Sequence, residues 1–92
     1  MKPVHIHSDL LKEIRAKSAT DRKEIGERIS EVQRCFGQPH LHKGIGLRKL
    51  HDDYFEIRIG LKHRLVFENT PTALVYEFLG NHDEIKRFLK AR

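Results

Sequence analysis

The most regular alternation of apolar and polar residues lies between residues 54 and 68. The runs YFEIRI and RLVFE each place apolar side chains at every second position, which is the period of a strand with one buried and one exposed face. Residues 60–63 (GLKH) separate the two runs and are typical of a turn. The pattern predicts a hairpin, and the side chains on its polar face are then Glu56, Arg58 and Arg64.

The first half of the chain predicts one short strand followed by two amphipathic helices. Residues 2–7 alternate in the manner of a strand, and Ser8 is the expected N-cap of the first helix. The second helix is expected to begin at Thr20 or Asp21, because Asp21 and Glu24 have the spacing of a capping box. A connection of two or three residues makes the two helices a hairpin that can cover one face of a sheet.

The remaining segments predict a loop, two further strands and a closing helix. Residues 38–46 contain glycine, proline and histidine without a period, which is typical of a loop, and residues 47–51 are an expected strand. Residues 73–79 (ALVYEFL) are the most continuously apolar stretch and are expected to form a central strand. Asn81 and Glu84 then have capping-box spacing at the start of the closing helix.

These elements predict a single α+β domain over residues 1–92. The N-terminal strand and the two-helix hairpin pack on a mostly antiparallel four-stranded sheet, and a short C-terminal helix closes the chain. The helical pair covers one sheet face, and the other face is expected to stay open as a concave basic surface. With 18 Lys and Arg against 13 Asp and Glu, the net charge of +5 favours a polyanion such as RNA or DNA, or an acidic protein.

Cysteine content and hydropathy narrow the class of protein. Cys35 is the only cysteine, so an internal disulfide is excluded. No apolar run reaches the roughly 18–20 residues of a membrane span, and no signal-peptide pattern opens the chain, so we expect a cytoplasmic protein that does not contact membranes. The pairs His5-x-His7 and His40-x-His42 have ligand-like spacing, but without a C-x-x-C or H-x-x-x-H arrangement we expect neither a metal nor a small-molecule cofactor.

Residues 46–89 resemble the second half of the RelE/ParE toxin superfamily. In that family a leucine-bearing strand, a strand ending in basic residues, an R-L-V-aromatic strand and a V-aromatic strand follow one another, and a glycine then precedes a basic residue. The matching positions are Leu47, Leu50, 55–58 (FEIR), 63–67 (HRLVF), 75–78 (VYEF) and 80–82 (GNH). The strand and helical hairpin expected in the first half follow the same order, so the resemblance covers almost the whole chain.

The resemblance implies a toxin of a type II toxin–antitoxin pair. RelE-like members are endoribonucleases that cut messenger RNA in the ribosomal A site, which implies an antitoxin, the ribosome and messenger RNA as partners. ParE-like members share the fold but inhibit DNA gyrase, so a non-catalytic member or an inactive binder is the alternative. A stand-alone nucleic-acid-binding module is a third reading. His82 and the acidic residues after it resemble the YafQ branch, whereas Phe88 stands where RelE has a tyrosine and Glu56 where RelE has a lysine.

Metal-independent RNA cleavage needs a base for the 2′-hydroxyl, a cation for the phosphorane and an acid for the leaving 5′-oxygen. Arg64 is the expected cation because its planar guanidinium matches two phosphate oxygens, and Arg58 is expected to clamp phosphate. His82 is a candidate acid or base, since imidazole exchanges protons near neutral pH. Glu56 is a candidate base.

Each of these residues also has a structural interpretation. A mid-strand arginine is often salt-bridged, His82 can serve as a helix cap or lie at the edge of the core, and Glu56 can pair with Arg58 or Arg64 across the strands. Further basic side chains are candidate contacts to the RNA backbone. They are Lys43, Arg48, Lys49, Lys62, His63, Lys86 and Arg87.

Overall fold

A computed structural model describes residues 1–91 and confirms the α+β class. Those residues form five strands, four α-helices and one 3-10 helix. The elements are β1 (Val4–Ile6), α1 (Ser8–Arg15), α2 (Ala19–Cys35), α3 (Pro39–His42), the 3-10 helix (Lys43–Ile45), β2 (Leu47–Lys49), β3 (Tyr54–Ile59), β4 (His63–Asn69), β5 (Leu74–Gly80) and α4 (His82–Lys90).

The strands form one sheet in the order β1-β5-β4-β3-β2. It has five strands where four were expected, because β1 joins the sheet by pairing parallel to β5, with Val4 opposite Leu74. The other pairs are antiparallel, as predicted. The apolar strand β5 lies inside the sheet between β1 and β4, and β4 is the middle strand.

The helices begin at different caps from those expected. His7 rather than Ser8 is the N-cap of α1, and its ring Nδ1 accepts a backbone N–H bond of the first turn at 3.3 Å. Ser18 caps α2 by accepting from the backbone N–H of Asp21 at 3.1 Å, so the helix begins before the expected Thr20 or Asp21. Both caps satisfy backbone donors that a helix start leaves free.

Glu24 does not form the expected capping pair with Asp21. Its Oε2 accepts instead from the backbone N–H of Gly60, at 2.8 Å, in the turn between β3 and β4. Gly60 has a positive φ of 61°, which favours glycine. The bond ties α2 to the hairpin turn, a long-range contact that local spacing did not indicate.

Residues 38–46, which we predicted to be a loop, contain regular secondary structure. They form α3 and the 3-10 helix, and the chain then turns at Gly46 with a φ of 75° before entering β2. His42 in α3 stacks on Phe36, with ring centroids 5.8 Å apart. Apolar and aromatic contacts therefore organise a segment whose composition suggested only a break between elements.

The helical pair covers one face of the sheet, as predicted. Leu10, Ile14, Ile25 and Val32 of the two helices form one buried cluster with side chains from the sheet. The sheet contributes Leu47, Ile57, Ile59, Leu65, Phe67, Leu74, Tyr76 and Leu79. This cluster fixes which face of each strand points away from the helices.

The second face of the sheet is only partly open, which corrects our expectation. Helix α4 lies on it and buries Val66 and Ile85. Phe88 of α4 stacks on Phe78 of β5 with ring centroids 4.8 Å apart, and it meets the ring of Tyr54 edge-on at 6.1 Å. An amphipathic helix needs a partner for its apolar stripe, and β4 and β5 provide it. The open part of this face therefore lies toward β2 and β3.

Tyr76 is fully buried in the core, and within residues 1–91 its hydroxyl has no hydrogen-bond partner. Because a desolvated hydroxyl without a partner costs free energy, we expect Tyr76→Phe to raise the free energy of unfolding by up to about 1 kcal/mol. Urea denaturation at neutral pH measures this change in the free energy of unfolding, and a clear loss of stability in the variant would contradict the prediction.

Burial also raises the pKa of Tyr76. Above about pH 10 the unfolded state therefore ionises before the folded state, so the wild type should lose stability that the variant retains.

Candidate functional site

Glu56 lies on β3, on the sheet face that points away from the helical pair. It is only 5% exposed. Its Oε2 lies 3.1 Å from Nε of Arg64 and 3.2 Å from Nη2 of Arg48. A buried carboxylate needs such partners because its lost hydration must be replaced. Of the two ion-pair partners expected for Glu56, Arg64 is confirmed and Arg58 is not, and Arg48 of β2 is a second partner that was not expected.

Arg58 and Arg64 lie directly opposite each other on β3 and β4, on the same face as Glu56. Two cations at opposed positions repel each other. Glu56 relieves the repulsion by pairing with Arg64, whose side chain is 26% exposed, while Arg58 is exposed. The alternation of the sequence therefore located these three side chains correctly, although it did not indicate that Glu56 is buried.

Two adjoining cavities lie over this face. The first, of about 450 Å³, is lined by Arg48, Glu56, Arg58 and Arg64 together with residues of α3 and the turn before β2. The second, of about 380 Å³, lies between β2 and α4, and its lining again includes Arg48 and Glu56. His82 lines the second cavity. His82 and Arg64 are thus on the same side of the domain, in cavities that share a wall.

His82 is the first residue of α4 and is exposed. Asn81, not His82, is the N-cap: its Oδ1 accepts from the N–H of Glu84 at 2.9 Å, and Glu84 Oε1 accepts from the N–H of Asn81 at 2.8 Å. The predicted capping box is confirmed. Gly80, two residues before His82, pairs with Arg64 in the β4–β5 register.

The other candidate RNA contacts divide between the two sides of the sheet. Four of them line the two cavities described above, namely Lys43, Arg48, Lys49 and Lys86. Lys62 and His63 line a different cavity, of about 370 Å³, between α2 and the β3–β4 turn. His63 has the parity of Leu65 and Phe67, which face the helices, so the alternation itself places it away from Arg64. Arg87 is exposed on α4 and lines neither of the two cavities.

Sequence reasoning missed the role of Arg48 as a partner of Glu56. Arg48 and Glu56 are directly opposed in the β2–β3 register, but β2 has only three residues, and its pairing partner carries no local signal. It also missed His51, which lines the cavity of His82 and lies with its Nε2 3.1 Å from a carboxylate oxygen of Asp52. An exposed His-Asp pair at the cavity edge is a consequence of the turn between β2 and β3.

Residues 1–91 contain neither a candidate metal cluster nor a helix suited to span a membrane. Across residues 1–91, no three side chains of His, Cys, Asp or Glu come together in a way that could hold a metal ion. None of the helices in that part of the chain combines the length and the apolar character needed to cross a membrane.

Gly80 is the last residue of β5, two residues before α4, at a point where a side chain would not fit. A Cβ there would lie 2.7 Å from Cε2 of Phe78 and 3.0 Å from Cβ of Glu84. We therefore expect Gly80→Ala to displace the start of α4 and to lower the free energy of unfolding by about 1–3 kcal/mol, measured by urea denaturation.

Gly26→Ala is the matched control for that substitution. Gly26 lies within α2, and a Cβ there would meet no atom within 4 Å. Alanine is expected to stabilise this helix by about 0.5–1 kcal/mol. Equal effects of the two substitutions would show that the contact between Gly80 and α4 is not tight.

Comparison with known proteins gives matches in structure alone. No protein-family model matches the chain, and no curated protein matches it significantly in sequence. A chain of the RelB-RelE antitoxin-toxin complex from Methanococcus jannaschii superposes with a TM-score of 0.66 at 17% identity, covering 91% of this chain and 96% of that one. The isolated Escherichia coli RelE toxin gives 0.66 at 16% identity over 100% of both chains. E. coli YafQ gives 0.56 at 13% identity over 92% of this chain and 98% of that one.

Proposed function

We propose that this chain, which has the fold of RelE-like toxins, is the toxin of a toxin–antitoxin pair and cleaves ribosome-bound messenger RNA without a metal ion. One observation carries the proposal. A buried carboxylate, Glu56, holds Arg64 and Arg48 on the floor of a basic cavity, and His82 lines the cavity beside it. This set contains a cation for phosphate and a group for proton transfer.

Arg64 is the residue that we assign to the phosphorane. Its Nε is engaged by Glu56, so its two terminal nitrogens remain for phosphate oxygens. The carboxylate fixes the plane of the guanidinium before substrate binds. Less free energy is then needed to orient the guanidinium in the transition state. Arg58, directly across the hairpin, contacts the same or the neighbouring phosphate.

Glu56 acts by positioning the arginines rather than as the base. Its Oε2 pairs with two guanidinium groups, and its Oε1 is buried with no hydrogen-bond partner in residues 1–91. A general base must reach the proton that it removes, directly or through one water. Neither oxygen of Glu56 has the free, exposed position that this requires.

His82 is then the residue that exchanges protons with the substrate. In the reaction the 2′-oxygen attacks phosphorus and loses its proton, and the bond from phosphorus to the 5′-oxygen breaks as that oxygen gains a proton. The products are a 2′,3′-cyclic phosphate and a 5′-hydroxyl. The exposed imidazole at the start of α4 serves at one of these two proton transfers.

An antitoxin is the protein partner that we propose. A RelB-RelE antitoxin-toxin complex is among the structures with this fold. The net charge of +5 suits a partner that lays an acidic segment on the basic side of the sheet.

One observation favours the non-catalytic alternative. Phe88 stands where the resemblance places the tyrosine of RelE, and it lacks a hydroxyl. Its ring, on the sheet-facing side of α4, packs against Phe78 and Tyr54 and lines neither the cavity of Arg64 nor that of His82. A chain with this fold that had lost nuclease activity would retain the basic cavity and still bind a partner.

The test is cleavage of messenger RNA by the purified chain on translating ribosomes. We expect fragments that end in a 2′,3′-cyclic phosphate and a 5′-hydroxyl, and no cut at a nucleotide whose 2′-oxygen is methylated. Intact messenger RNA together with growth arrest on expression would support the non-catalytic alternative. Salt-sensitive binding of free RNA, with neither cleavage nor growth arrest, would support the nucleic-acid-binding module.

A further inference from the structure

A third cavity continues from the cavity of Arg64 toward the helical layer. It has a volume of about 600 Å³, and its lining includes Arg28 of α2, Lys43 of the 3-10 helix and Arg58 of β3. Lys43, Gly46 and Arg58 also line the cavity of Arg64, so the two spaces adjoin. Arg28 has no place in the proposed catalytic set.

The charge of this third cavity is strongly unbalanced. Three cationic side chains line it, and Glu24 is the acidic residue in its lining. One oxygen of Glu24 is already occupied by the backbone N–H of Gly60. Arg28 pairs through Nη1 with Glu31 at 3.2 Å, but both side chains are partly exposed, so this pair contributes little stability and is readily exchanged.

Arg28 is held in place along one side of its guanidinium. Its side chain is 33% exposed, yet its Nε is buried, and within residues 1–91 that atom has no hydrogen-bond partner. Packing around the buried Nε therefore orients the exposed terminal nitrogens of the guanidinium. A guanidinium oriented in this way suits phosphate oxygens, which it can bind through two parallel N–H groups.

Gly46 keeps the passage between the two cavities clear. Its φ is 75°, and a Cβ at this position would lie 3.3 Å from Cβ of Arg58. Its carbonyl oxygen accepts from the backbone N–H of Arg58 at 3.3 Å, which holds the turn against β3. Gly46 therefore contributes no side chain to the passage between the two cavities.

We propose that the three adjoining cavities form one groove for single-stranded RNA and that Arg28 binds a backbone phosphate beyond the reacting nucleotide. The proposal rests on the proposed function, since it extends the path of the same strand. RNA is the occupant that the geometry favours, because the groove is continuous with the phosphate site and carries cations along its length. Tracking of a backbone along a basic groove is how single strands are commonly bound.

The test compares two fluorescent RNAs that carry 2′-O-methyl groups and so cannot be cut, one of roughly 4 and one of roughly 12 nucleotides. Binding is measured by anisotropy over a range of salt concentrations. Arg28→Gln is expected to weaken binding of the longer RNA several-fold and to reduce the slope of log affinity against log salt by about 0.7, as expected for one lost phosphate contact. The shorter RNA spans only the cavities of Arg64 and His82, so its affinity is expected to be unchanged.

Arg34→Gln is the matched control, because Arg34 is an exposed arginine of the same helix that lines a separate cavity. It is expected to change neither RNA's affinity. Arg28→Lys keeps the charge and is expected to restore the salt slope. Should Arg28→Gln unfold the protein, Leu61→Glu places a negative charge in the third cavity at an exposed position outside the cavity of Arg64, and it is expected to weaken binding of the longer RNA alone.

Other results would overturn the proposal in distinguishable ways. If Arg28→Gln and Arg34→Gln bind the longer RNA equally well while Arg58→Gln weakens both RNAs, the extended groove is wrong and the proposed function stands. If Arg28→Gln weakens antitoxin binding but no RNA, the third cavity is a protein interface. If the wild type binds neither RNA at low salt, the groove is wrong, and the proposed function is then decided by the cleavage assay on translating ribosomes alone.

Discussion

Replacing Arg64 with glutamine is expected to slow cleavage of ribosome-bound messenger RNA by about 10²–10³-fold, the loss typical when one preorganised donor to a developing charge is removed. Glutamine retains a donor that can reach Glu56 but offers no positive charge to the phosphorane. The rate is measured in single-turnover reactions with the chain in excess over programmed ribosomes. The change should fall on the rate at saturation rather than on the concentration that gives half saturation, because Arg58 and the basic rim still hold the RNA.

Two companion variants sharpen this result. Arg64→Lys keeps the charge but cannot pair with Glu56 and also present two N–H groups to a phosphate, so an intermediate rate is expected. Arg34→Gln removes the same charge from a remote part of α2 and should leave the rate unchanged. A near-normal rate for Arg64→Gln, in a variant that melts normally, would remove Arg64 from the chemistry.

His82→Gln is expected to reduce the same rate by about 10²–10⁴-fold, the usual contribution of a positioned acid or base. Glutamine can still donate and accept hydrogen bonds at the start of α4 but cannot transfer a proton. His5→Gln is the control, since His5 is an exposed histidine of β1 at the opposite edge of the sheet. The two substitutions should differ in rate and agree in melting temperature.

Growth assays with the same variants distinguish the two main readings of this fold. If toxicity depends on RNA cleavage, expression of Arg64→Gln or His82→Gln should permit growth. If both variants lose cleavage but still arrest growth, the toxic activity lies elsewhere on the surface and the non-catalytic alternative is favoured.

Local signals in the sequence predicted the parts of the site that depend on neighbouring residues. The period of two in β3 and β4 placed Arg58 and Arg64 on one face, and the spacing of Asn81 and Glu84 located the start of the helix that carries His82. Each of these features depends on contacts between residues close in the sequence or joined by a short turn.

Features that depend on distant packing escaped prediction. Burial of Glu56 requires β2 to pair at the sheet edge and bring Arg48 into range, and three residues of strand do not specify that partner. The bond from Gly60 to Glu24 joins residues 36 positions apart. The packing of α4 on the second sheet face was also not predicted. An apolar stripe shows that a helix packs against something, but it does not show which surface that is.

If the proposed reaction is correct, the triad of Glu56, Arg48 and Arg64 separates capture of the substrate from its conversion. The single negative charge cancels one of the two positive charges, so at a distance the triad presents only about one unit of charge. The far-reaching attraction for an anionic strand then comes mainly from the exposed lysines around the groove. We therefore expect the rate at which a strand arrives and the rate at which it is cut to depend on different side chains, so that substitution can alter one while preserving the other.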